Sequence, residues 1–335
     1  REAIRRAEKE PRAHYLLAKA LLQQKRVEEA LAEASTALSI EERNPKYMVQ
    51  KASILDRLKR HDEAANLMKR AIRLMPEEDE FYVQLALTLL KRDRVDEARN
   101  YLATAAGIDR KNGNIPYLLG VTFVEKQPDK ALGYLRTADQ LRPKHGPTLL
   151  SMGEAFYRGN QLLDSINALT ESIQADSASA DAREWRARAY RDQGQYPEAL
   201  LDLDQALRIR GANAGLYYDK AEVYRRWGGK EQTRNALRSY RQAVRVNRRM
   251  GKAYCRIAEL QIDRGRFRQA MRAATRCVEY EPKSGSGHLS VGMLQKERGN
   301  YDDAEAALRQ SLKVDPRGEF SERAQAELDA LLRYR

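Results

Sequence analysis

Small and apolar residues recur along this chain with a period near 34, and polar residues fill the positions between them. One slot holds Ala18, Ala52, Ala86, Gly120, Gly153, Ala187, Ala221, Ala258 and Gly292, in steps of 34, 34, 34, 33, 34, 34, 37 and 34. A second series follows about a dozen residues behind, from Ala30 and Ala64 to Ala304. A third lies seven further on, from Ala37 and Ala71 to Cys277 and Ser311. All 27 slots are Ala, Gly, Ser or Cys, so the chain reads as an array of one repeated unit. Larger side chains sit between the slots at helical spacing. Leu17, Leu21, Leu85, Leu89, Leu119, Phe123, Met152, Phe156, Tyr190 and Tyr224 do so in a first helix. Leu102, Leu135, Leu169, Leu203, Tyr240 and Leu308 do so in a second. Small slots let two antiparallel helices approach closely, and the larger groups fill the seam.

Turn signals divide the helices. Gly194-Gln195-Tyr196-Pro197, Gly265-Arg266-Phe267 and Gly299-Asn300-Tyr301 precede second helices, and Pro76, Pro143, Pro282 and Pro316 close repeats. Acids stand in the first turn of second helices, at Glu28-Glu29, Asp62-Glu63, Asp96-Glu97, Asp129, Glu198 and Asp302-Asp303, where they complement the helix dipole. Each unit is therefore a helical hairpin.

At these positions the sequence resembles the tetratricopeptide repeat family. Trp185-Arg186-Ala187-Arg188-Ala189-Tyr190, Gly194-Gln195-Tyr196-Pro197-Glu198-Ala199 and Asp302-Asp303-Ala304-Glu305-Ala306-Ala307-Leu308 carry the resemblance. It implies an all-α solenoid of antiparallel helix pairs wound into a right-handed superhelix, stable only through stacking. Nine repeats are expected over residues 11–316. Residues 1–10 read as the tail helix of a preceding, truncated repeat, and residues 317–335 as a capping helix with Ala324, Leu328, Leu331 and Leu332 on its stripe.

Composition narrows the function. No stretch approaches the roughly 20 apolar residues that a bilayer-spanning helix needs. Cys255 and Cys277 are too few for a disulfide-stapled mini-domain and lack metal or redox spacing, so they read as two reduced thiols, Cys277 standing in for a core alanine. His14, His61, His145 and His288 fall in different repeats, and Gly228-Gly229-Lys230 resembles a phosphate loop without its preceding strand. The expectation is a non-catalytic chain with no cofactor and no metal. The chain opens with Arg1, so it is expected to be a fragment, and the sequence does not separate a cytoplasmic from a periplasmic location.

Function in such a fold is read from the inward face of the first helices. Counting from the small slots, the expected partner-binding groove comprises Tyr15, Val49, Val83, Leu87, Leu90, Tyr117, Val121, Val124, Leu150 and Tyr157, with Lys19, Leu22, Ser53 and Glu154 beside them. This half suits an apolar or amphipathic protein segment. In later repeats the row becomes charged, at Glu184, Arg188, Tyr218, Glu222, Cys255 and Glu259. The family's carboxylate clamp is not matched, because its positions hold Tyr15 and Lys19, Val49 and Ser53, or Glu184 and Arg188. The asparagine ladder of its glycosyltransferase-linked members is absent too.

Charge adds a second candidate surface. The chain carries 61 Lys and Arg against 48 Asp and Glu, a net charge of +13. Residues 206–277 hold 19 of those bases and 5 of the acids, so this segment is +14 and the remainder −1. The expected basic patch is Arg225, Arg226, Arg234, Arg238, Arg241, Arg245 and Arg272, docking an acidic protein surface or membrane headgroups. Two other readings stand beside a protein-binding scaffold: nucleic acid on repeats seven and eight, and the non-catalytic arm of a larger enzyme. Arginine-rich composition points to a bacterial source, and family members in pilus assembly or exopolysaccharide export are the analogues that the resemblance offers.

Overall fold

The computed structural model describes residues 10–334. Among them every regular element is an α-helix and no strand occurs. The tail expected at residues 1–10 lies outside the described residues except for Glu10, which immediately precedes α1. The chain divides into two compact units, Arg1–Gln161 and Leu162–Arg335.

The first unit contains α1 (Pro11–Gln23), α2 (Val27–Ile40), α3 (Pro45–Arg57), α4 (His61–Leu74), α5 (Asp79–Leu90), α6 (Val95–Ile108), α7 (Asn114–Phe123), α8 (Pro128–Leu141) and α9 (Gly146–Arg158). The second contains α10 (Leu162–Ala175), α11 (Ala180–Asp192), α12 (Tyr196–Arg210), α13 (Ala214–Trp227), α14 (Lys230–Val246), α15 (Gly251–Ile262), α16 (Phe267–Tyr280), α17 (Gly285–Glu297), α18 (Tyr301–Val314) and α19 (Ser321–Tyr334). Within each unit the two helices of a hairpin pack on one another, and each first helix lies against the second helix of the hairpin before it.

The seams follow the small slots, all 27 of which are buried. Leu102, Leu135, Leu169, Leu203, Tyr240 and Leu308 are wholly buried between them. The fit is tight. A Cβ on Gly120 would lie 2.6 Å from Leu135 Cγ, and one on Gly292 would lie 2.7 Å from Leu308 Cγ. Leu17 departs from its expected role as a filler: it is half exposed on α1, beside an exposed Leu16. On α19, Ala324, Leu328 and Leu331 are buried and pack with Leu289 and Leu308, whereas Leu332 is exposed.

Helix starts divide into two kinds. Asn44, Ser179, Asn213 and Ser284 cap first helices by accepting hydrogen bonds from first-turn amides. The early second helices instead begin after Arg26, Arg60 and Arg94, whose guanidiniums reach Glu29, Glu63 and Glu97 at 2.5, 2.6 and 2.6 Å.

Cys255 and Cys277 are not free thiols. They form a disulfide joining α15 to α16, with Cα atoms 4.9 Å apart. The reason is the repeat itself: Cys277 occupies a small slot facing the first helix, which places it at bridging distance from a residue of that helix.

Candidate functional site

The first three first helices, α1, α3 and α5, line a cleft of about 650 Å³ in the first unit. Tyr15, Leu22, Val49, Met75 and Phe81 supply apolar walls, and Lys19, Lys46, Glu78 and Glu80 add charges of both signs. Tyr15 stacks obliquely on Tyr47 at 5.4 Å. Gln50 crosses between helices, donating from Nε2 to the Tyr15 carbonyl at 2.7 Å, while its Oε1 is buried with no hydrogen-bond partner among the described residues.

The other groove positions disperse. Leu87 and Val121 are exposed, at 38% and 41%, but lie outside this cleft. Leu90, Tyr117, Leu150 and Tyr157 are partly buried, with Tyr117 packed edge-on to His145. Val83 and Val124 present nothing to a ligand. Val83 is buried within the core cluster, and Val124 is buried at the residue that closes α7.

The charged row of the second unit proves to be an internal ladder of ion pairs. Arg188 reaches Glu184 on its own helix at 2.6 Å and Asp219 on the next first helix at 2.8 Å. Arg256 similarly reaches Glu259 at 2.8 Å and Glu222 at 3.6 Å. Residues about one repeat apart are neighbours on adjacent first helices, so the period itself builds these contacts. Glu222 also accepts from the Tyr240 hydroxyl and from Arg225 at 2.7 Å. Burial opposes its charge, yet the bonds from Arg225 and Tyr240 and the charges of Arg225 and Arg256 hold its carboxyl below the ordinary range. Burial wins at Glu184, which lies above that range despite Arg188 and Arg210. Burial and the Glu222 charge push Tyr218 up to about 12. Cys255 is withdrawn from this row by its disulfide.

The ladder also claims two members of the expected basic patch. Arg225 is bound to Glu222, and Arg226 reaches Asp192 at 2.6 Å. Arg234, Arg238, Arg241 and Arg245 are exposed along α14, and Arg272 is exposed on α16. Among the described residues, no group of His, Cys, Asp and Glu is placed to hold a metal ion, and no helix is long and apolar enough to cross a membrane.

Three family models match the chain. Two described as tetratricopeptide repeat match residues 57–119 and residues 1–47 with 255–319, and one described as TPR repeat matches residues 187–228. The chain is a tetratricopeptide-repeat protein. Comparison with curated proteins finds no sequence match. Among solved structures, the human IFIT1 dimer with m7Gppp-AAAA resembles this tetratricopeptide-repeat chain with a TM-score of 0.59 at 18% identity, covering 97% of this chain and 82% of that one. PilW, a widely conserved type IV pilus biogenesis factor, resembles it with a TM-score of 0.55 at 17% identity, covering 61% of this chain and 93% of that one. At these identities the likeness is one of fold.

Sequence reasoning missed Gln50 and Met75 in the tetratricopeptide cleft. Gln50 lies two residues before the small slot Ala52, a position that counting three before and one after a slot passes over. Met75 closes the second hairpin, where the following Pro76 signals only a turn.

Proposed function

We propose that this tetratricopeptide-repeat protein is an interaction scaffold whose first unit takes an apolar or amphipathic segment of a protein partner. The carrying observation is the α1–α3–α5 cleft, with its aromatic and aliphatic walls and flanking charges of both signs. Apolar anchors give such a segment its affinity, and the flanking lysines and glutamates suit charges of either sign on the partner. Assembly of a bacterial envelope complex is the setting we favour. A disulfide persists in oxidising compartments and not in a reducing cytosol, and the Cys255–Cys277 bridge accords with that setting.

Peptides selected from a random library against the wild-type chain test this reading. Val49→Asp and, separately, Ser53→Trp, which fills the cleft, should each weaken the selected peptides by about thirtyfold, the scale of a hot-spot loss. Circular dichroism should be unchanged. Undiminished binding by both variants would place the peptide site elsewhere.

A further inference from the structure

A second cleft, of about 440 Å³, lies in the second unit where the start of α14 meets the turn between α15 and α16. Lys230 and Arg234 enter it from α14, and Arg264 and Arg266 from the turn. Asp263 is the one carboxylate in its wall. None of the four cations makes an ion pair among the described residues, although Arg188, Arg225, Arg226 and Arg256 of the same unit are all paired. Desolvation, then the charges of Arg266, Arg234 and Arg241, hold the Arg264 guanidinium below its usual value, so these cations crowd one another.

The long step of the repeat builds this place. The 37-residue spacing from Ala221 to Ala258 coincides with a 17-residue α14, against 14 residues in α2, α4, α6 and α16. The added turn at the amino end carries Lys230. Gly229 precedes it at φ 88°, no side chain caps the helix, and the first turn, which also holds Glu231, borders the cleft through Lys230 and Thr233.

We infer that this cleft binds the phosphate of a phosphorylated, acidic segment of a protein partner. Four cations against one carboxylate converge on a small volume, which suits a compact dianion, and guanidinium forks fit phosphate oxygens in pairs. Arg238, Arg241 and Arg245 continue the positive charge along the exposed side of α14, where carboxylates flanking the phosphate would lie. Of the aromatics nearby, Trp227 is stacked on Tyr196 at 5.7 Å and Lys252 covers Tyr218 at 4.3 Å. Trp227 and Phe267 keep exposed surface that a base could stack on, so RNA is the competing ligand that the test includes. The site is separate from the first-unit cleft, and failure of either leaves the other standing.

Fluorescence anisotropy at about 0.15 M salt tests it with three labelled probes: a Glu-rich peptide containing one serine, the same peptide with phosphoserine, and single-stranded RNA of equal length. The phosphopeptide should bind at least about tenfold more tightly than the serine peptide. Inorganic phosphate should compete. R264Q/R266Q should remove most of that preference, whereas R276Q, at an arginine outside the cleft, should keep it. R264K/R266K preserves charge and guards against misfolding; it should lose part of the preference through loss of the forks. Equal binding of both peptides, a preference unchanged in R264Q/R266Q and R264K/R266K, or RNA bound more tightly than the phosphopeptide would each overturn the assignment.

Discussion

Glu222 shows how one side chain here couples packing to protonation. It is 7% exposed and held by Arg225, Tyr240 and, more distantly, Arg256, so its carboxyl gives up its proton more readily folded than unfolded. Above the unfolded carboxylate value of about 4.3 both states are ionised, and the full stabilisation is present. As pH falls through the lower folded value that stabilisation is lost, because the unfolded chain binds the proton first. Glu222→Gln should therefore cost about 1–3 kcal/mol at neutral pH and weaken the loss of stability on acidification below pH 5, both measurable by urea unfolding at a series of pH values. Parallel pH curves for wild type and variant would contradict this role. Glu222 stood out in the sequence only as a groove residue. Its partners lie three, eighteen and thirty-four positions away: Arg225 on the same helix, Tyr240 on the second helix of the hairpin and Arg256 on the next first helix, so only the packed hairpins bring the last two to it.

Between helices the determining quantity is clearance. Gly120 and Gly292 lie where a Cβ would press into the wholly buried Leu135 and Leu308, so Gly120→Ala should overpack the α7–α8 seam and cost about 1–3 kcal/mol by chemical denaturation. Gly120→Ala with Leu135→Val should recover part of that loss; no loss at all would show a looser seam. This level was legible in the sequence, because small slots repeat with the period and period alone defines a hairpin. The turns were half legible. Gly194, Gly265 and Gly299 take positive φ just before the residue that starts a second helix, but Lys25, Lys59, Asp93 and Asn160 adopt the same backbone at that place without glycine to announce it. The groove was least legible. Counting outward from a slot cannot distinguish Val49, which lines a cleft, from Val83, which the core absorbs.

Across the molecule, two compact units, each with buried clusters of its own, are expected to unfold separably. Calorimetry should give a total enthalpy larger than the van't Hoff value. Reducing Cys255–Cys277, which spans 22 residues, should shift only the transition of the second unit, by about 3 kcal/mol of lost stability. A single transition that moves as a whole would refute this independence. The same bridge gives the chain a mechanical character. Drawn out from its ends, the polypeptide would lengthen hairpin by hairpin until the eighth, where the stretch between Cys255 and Cys277 remains a closed stitch. About 75 Å of extended backbone is thereby withheld from the contour. The turn that bears Arg264 and Arg266 lies inside that stitch, so tension that straightens the rest of the chain would pass around it rather than through it.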